Sequence, residues 1–147
     1  MTRWRKTERA LVLLAFVAMA WGFFIEPGRL RVHRETVLLK DWPAGLEGLT
    51  VAAIGDIHAG APHMTRAKLR AVVDATNAEA PDLTVLLGDY VIQGVKGGSF
   101  IAPEETATIL ADLKARHGVW AVLGNHDWWL DGERVRRAFN GQGIRVL

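Results

Sequence analysis

The chain has 147 residues, half of them apolar, with no cysteine and a formal charge of +2. That length allows one modest domain with a real core, and the absence of thiols excludes disulfides and thiolate metal sites, so any metal must sit on nitrogen and oxygen ligands. The positive charge is local: residues 1–9 carry +3 and the rest of the chain sums to −1, so there is no clustered basic face and no nucleic-acid partner is expected.

Residues 10–25, ALVLLAFVAMAWGFFI, hold no charge and follow directly on Arg3, Arg5, Lys6 and Arg9. Sixteen residues is short for a spanning helix, although Trp4 and Trp21 would suit the two interfaces. The reading is a single-pass N-terminal membrane anchor, with an export signal cleaved near Ala20 as the alternative. A buried core helix is a third option, against which the basic flank counts. Both membrane readings place the domain outside the cytoplasm. The chain then divides into residues 1–25 (basic flank and anchor), 26–49 (linker and a peripheral strand) and 50–147 (the domain).

Pro27-Gly28 breaks the first segment. LRVHRETVLL alternates enough to suggest a strand, DWPAGLEG reads as a turn-rich connector, and LTVAAIGD as a buried strand ending in Gly55-Asp56. A helix is expected over Thr65–Ala80, capped by Thr65, with Leu69, Val72, Val73 and Thr76 on one face and Pro81 as its stop. DLTVLLGDY is a second buried strand. The Gly-rich stretch 91–105 is a flexible loop or lid, without the spacing of a phosphate-binding P-loop. A second helix is expected over Glu104–Arg116, a third strand in HGVWAVLGNHD with Trp120 in the core, and a third helix over Asp131–Asn140. Strands so uniformly apolar need cover, which points to an α/β fold of mostly parallel strands with crossover helices.

In such sheets, function gathers beyond the carboxyl ends of the strands. Here those ends read G55-D-I-H58, G88-D89 and G124-N-H-D127. One Gly-Asp is an ordinary turn signal, but three endings of this kind on one sheet edge are not. Asp56 and His58, two apart, would point the same way from an extended backbone. Carboxylate and imidazole suit Zn, Mn or Fe(II). Asp89 could bridge two ions roughly 3.5–4 Å apart, Asn125 adds a neutral carbonyl, and His126 could face a substrate. His63, His117 and His33 are read as solvent-facing or structural, and Arg134, Arg136 and Arg137 as a solvated helix face. Trp128 and Trp129 either wall a cleft or pack the third helix.

These three blocks, in this order over roughly residues 50–132, resemble the first motif blocks of the calcineurin-like metallophosphoesterases. With the anchor, the DIHAG block and the Trp pair, the likeness is to the membrane-associated bacterial members of that superfamily. The resemblance implies the N-terminal half of a metallophosphoesterase-like α/β sandwich and two divalent metal ions (Mn, Zn or Fe). Asp56 and His58 would ligate the first ion, Asp89 would bridge, and Asn125 would ligate the second. His126 would stand near the phosphate and leaving group, oriented by Asp127. The implied reaction is hydrolysis of a phosphomonoester or phosphodiester, for which a lipid-linked substrate would suit the anchor.

Two features depart from the pattern. Ile92 stands where the purple acid phosphatase branch has Tyr, and Tyr90 is out of register for that role. No histidine follows His126, whereas the superfamily completes its site with a later His and a Gly-His-x-His block. The expectation is an N-terminal portion of a longer enzyme, its site incomplete and its sheet lacking a partner on the inner face, with GIRVL147 as the start of a fourth strand. The rival reading is a noncatalytic, membrane-tethered binding or structural module that retains a partial metal site.

Overall fold

A computed structural model describes residues 3–147, and the side chains from Arg5 onward; the ring of Trp4 lies outside the described residues. The chain forms two compact units, the first ending at Arg31 and the second spanning Val32–Leu147. In the first, α1 (Arg3–Ala20) runs on through a π-helical turn, Trp21–Ile25, and a tighter turn, Glu26–Gly28. The apolar helix is thus longer than the uncharged run alone. Arg5–Gly28, 24 residues whose most apolar window has a mean hydropathy of 2.0, is long and apolar enough to cross a membrane by length and composition. At its end Glu26 accepts hydrogen bonds from the Trp21 indole and from Arg29 and Arg31.

The second unit is an α/β layer. Strands β1 (Val51–Ile54), β2 (Leu83–Leu86), β3 (Val119–Ala121) and β4 (Arg145–Val146) alternate with α2 (Arg66–Ala78), α3 (Pro103–Leu110) and α4 (Asn125–Gly141). All neighbours pair in parallel and the spatial order is β1-β2-β3-β4. That order decides the packing. Right-handed crossovers that always step the same way put every helix on the same side of the sheet. Thr84, Leu86, Val119 and Ala121 therefore face the helices and are buried with Leu69, Val73, Leu110, Val135 and Phe139. In register on the other face lie Val51, Ala53, Leu83, Val85 and Trp120, none of them buried. One face of an apolar sheet is open in this chain.

Helix α2 forms as its sequence dictates. The Thr65 hydroxyl accepts from the Lys68 amide, and Leu69, Val72, Val73 and Thr76 are its buried residues.

Four expectations need correction. Residues 29–39 form no strand and lie exposed; their alternation has no neighbouring strand to pair with, and Val37 and Leu38 face water. Helix α3 stops at Leu110 instead of Arg116, because the Asn77 side chain donates to the Asp112 carbonyl and accepts from the Lys114 amide, both at 2.8 Å, and so claims the backbone that would continue it. The third helix begins six residues early, at Asn125, and bends at Asp131, whose extended backbone (φ 179°) interrupts it; the Asp131 carboxylate then caps the second stretch through the Arg134 amide. Trp120 is not core: it lies on the open face, under the Arg145 guanidinium at 4.8 Å.

Ion pairs tie the helices together. Arg134 of α4 holds Glu104 bidentately at 2.7 and 2.9 Å, and so is not merely solvated. Arg66 of α2 holds Glu105 of α3, and Arg34 holds Glu79 just past α2. Each Arg partner lowers its glutamate below the ordinary value of 4.5. A carboxyl depressed on folding contributes stability that is present above its unfolded value and lost as pH falls through the folded one. The melting temperature should accordingly be flat from neutrality to about pH 5 and drop below the ordinary glutamate value of 4.5, with a shallower drop in Glu104→Gln. An unchanged acid limb in that variant would show that the α3–α4 pair contributes nothing.

Candidate metal centre

The site is built where β1, β2 and β3 end. Beyond their last residues the β1 and β2 chains stay zipped, because the His58 amide donates to the Asp89 carbonyl and the Ala59 amide to the Tyr90 carbonyl, both at 2.8 Å. This brings the loop after β1 against the loop after β2. Within them Asp56, His58 and Asp89 all have left-handed backbones, with φ of 50°, 43° and 57°. Such a conformation costs roughly 1–3 kcal/mol per non-glycine residue and gathers at functional sites; Asp and His tolerate it better than most. The extended alternation expected for Asp56 and His58 is therefore not how they meet. Ile57 between them turns into the core, and the two side chains turn outward, His58 Nε2 standing 3.8 Å from Asp56 Oδ1.

His58, Asp89 and His126 converge, with ligating atoms all within 4.8 Å of one another. The two imidazoles meet edge to face, centroids 4.7 Å apart. Asp89 is fixed by α4: its Oδ1 accepts from the His126 amide at 2.9 Å, a first-turn N–H at the positive end of the helix. Oδ2 of Asp89 takes no part in that bond. His58 Nδ1 is buried and has no hydrogen-bond partner, a costly state for a polar atom. Two imidazoles and a carboxylate in this arrangement fit a divalent cation of borderline character. Asp56 lies beside them with its carboxylate 84% exposed, and Asn125, in the first turn of α4, is also exposed. His63 is exposed in its loop.

Behind the ligands sits Asp127, fully buried. Its Oδ2 accepts from the amides of Asp89 and Gly124, at 2.8 and 2.9 Å, and its Oδ1 from the amide of Tyr90 at 2.9 Å. The carboxylate expected to orient the His126 ring thus has its hydrogen bonds on the backbone of both ligand-bearing loops. Burial pushes its carboxyl up from the ordinary value, and the backbone donors of Gly124, Tyr90 and Asp89 pull it back.

Tyr90, which the sequence offered no role, lies beside it, fully buried. Its hydroxyl accepts from the Gly88 amide at 3.2 Å and lies 2.7 and 3.0 Å from the Val122 and Leu86 carbonyls, pinning the ends of β2 and β3. Burial raises its phenol above the usual range. The available signal was an aromatic directly after a ligand at a strand end.

Two glycines make the close approach possible. A Cβ on Gly88 (φ +94°) would stand 2.5 Å from the Gly124 nitrogen, and one on Gly124 would stand 2.1 Å from Asp89 Oδ1. The Gly-rich stretch is tied down at several points: Val91 bridges to Ala59 and is buried with Ile101, and the Ser99 amide donates to the Gly60 carbonyl at 2.8 Å.

With this geometry in view, the comparisons with known proteins are specific. Residues 49–145 match the family model for calcineurin-like phosphoesterases, and the chain belongs to that family. It is 30% identical over 134 residues to an uncharacterized metallophosphoesterase of Aquifex aeolicus, covering 90% of this chain and 49% of that protein. It is 35% identical over 109 residues to the UDP-2,3-diacylglucosamine pyrophosphatase LpxG of Chlamydia trachomatis, covering 74% and 31%. It is 29% identical over 144 residues to a transmembrane protein with metallophosphoesterase domain of Danio rerio, covering 97% and 31%. The chain therefore spans between about a third and a half of the length of these relatives. No solved structure gives a significant match.

Gly124→Ala should lower the affinity for Mn or Zn at least about tenfold in a calorimetric titration, because its methyl group displaces the Asp89 carboxylate. Asp127→Asn should cost roughly 2–3 kcal/mol in urea unfolding, since an amide presents N–H groups to at least one of the buried backbone donors. Unchanged metal affinity in the first variant, or unchanged stability in the second, would contradict this assignment.

Proposed function

We propose that this chain carries the metal-binding part of a membrane-associated hydrolase acting on phosphomonoester or phosphodiester bonds. The observation that carries the reading is the convergence of His58, Asp89 and His126 at adjacent strand ends, with the buried Nδ1 of His58 left unpaired. Divalent ions, when bound, would polarise the phosphoryl oxygens and activate water. We assign His58 and Asp56 to a first ion, Asp89 to the position between two ions, and Asn125 to the second. His126 would face the phosphate, where an imidazole can donate a proton to the leaving oxygen or stabilise developing charge. Asp127 holds Asp89 and Gly124 in place from behind. Mn, Zn and Fe all suit these ligands.

The N-terminal helix and the relative named as a transmembrane protein support membrane association. We place the N-terminus inside, on the basic cluster that precedes the helix, and the second unit outside the cytoplasm. The relative named as a UDP-2,3-diacylglucosamine pyrophosphatase supports a lipid-linked, phosphate-bearing substrate.

The test is metal content and turnover of bis-p-nitrophenyl phosphate after Mn or Zn loading, beside His126→Ala. Two bound ions and a rate that falls at least about a hundredfold in the variant are expected where the later His and Gly-His-x-His ligands are also supplied, and weak or no turnover from these 147 residues alone. Metal uptake without turnover even with those ligands would favour a tethered, noncatalytic metal-binding module instead, and failure to bind any metal would overturn both readings.

A further inference from the structure

The aromatic side chains around the metal centre have no part in the chemistry above. Trp129 is 73% exposed, yet its ring is placed: it lies against the His126 imidazole, centroids 4.6 Å apart at 62°. Trp128 is 53% exposed and rests on Gly132, where even a Cβ would come within 2.3 Å of the indole. Both indoles stand between the ligand-bearing start of α4 and its break at Asp131. Large aromatic surface held in water at the rim of a polar site marks a place where apolar matter binds.

We propose that Trp129, next to Trp128, takes the alkyl or acyl part of a substrate whose phosphate lies at the His58–Asp89–His126 centre. This rests on the phosphoesterase reading and adds to it the residue that selects for a chain-bearing ester. Three observations favour a hydrocarbon chain. The Trp129 ring adjoins His126 directly, so a group esterified to a phosphate there would lie over the indole. Along residues 125–130 the one carboxylate, Asp127, is buried behind the site, so the Trp pair itself carries no charge for a polar headgroup. The same polypeptide carries a helix apolar enough to keep it among lipids, where such substrates reside.

The experiment measures binding of a series of n-alkyl phosphates, methyl to hexyl, and of inorganic phosphate, to the metal-loaded full chain held in an amphipathic polymer. Affinity should rise about two- to fourfold per methylene in the natural chain, the increment for burying a CH₂. Trp129→Ala should flatten that series while metal content and inorganic phosphate affinity stay as they were, and Trp129→Phe should keep most of the slope. An equal slope in Trp129→Ala, or no slope in the natural chain, would overturn the proposal. So would tighter binding of a nucleoside monophosphate than of hexyl phosphate, lost in Trp129→Ala, because it would put a flat ring on the indole. If the loaded natural chain binds no phosphate of any kind, the phosphoesterase reading itself falls.

Discussion

The candidate metal centre depends on one buried carboxylate. Asp127 is inaccessible to solvent, and it gathers the amides of Asp89, Tyr90 and Gly124 from two different loops. Those loops would otherwise present their N–H groups to the interior without partners, which is expensive. The same bonds help hold Asp89 in its left-handed conformation, from which its carboxylate meets the first turn of α4. A strained backbone persists only where its surroundings over-determine it. Here the over-determination is visible: Asp127 on the amides, Tyr90 on the strand ends, and glycines at positions 88 and 124, where a side chain would collide with backbone or ligand.

The topology explains the rest of the unit. A sheet ordered β1-β2-β3-β4 with right-handed crossovers has its helices on one side, so only half of the apolar pattern is used. The open face, with Val51, Leu83, Val85 and Trp120, is no less apolar than the covered one, with Thr84, Leu86, Val119 and Ala121. Sequential order also brings the carboxyl ends of β1, β2 and β3 side by side, which is what lets residues as far apart as His58 and His126 meet. Fold and site are thus two consequences of one strand order.

Much of this was legible from residues alone. Thr65 and the Leu69, Val72, Val73, Thr76 stripe marked α2 because capping and helical spacing are local. The three Gly-led strand ends marked the site because a ligand after a strand is also a local pattern. What escaped was non-local. The end of α3 is set by Asn77, more than thirty residues away, and residues 29–39 alternate like a strand yet have nothing to pair with. Asp127 was read by its neighbour in sequence, His126, whereas its hydrogen bonds lie across the loops. Tyr90 was weighed only as a ligand and set aside, and its structural part was missed for the same reason, since its partners are carbonyls and an amide of the backbone. Asp56 and His58 were brought together by the wrong geometry, strand alternation in place of two left-handed turns, because strain is invisible to periodicity.

The central claim is that His58 and Asp89 belong to one cation site, with His126 standing beside it. The chain has five histidines, so imidazole nitrogen NMR during a Zn titration of the full chain tests this most directly. The account predicts that a ring nitrogen of His58 takes the shift of direct coordination at the first equivalents and that the His126 signals, from a ring 4.7 Å away, move with it to a smaller extent, while those of His33, His63 and His117 stay in place. Unmoved His58 and His126 signals, or a response confined to the exposed histidines, would contradict it.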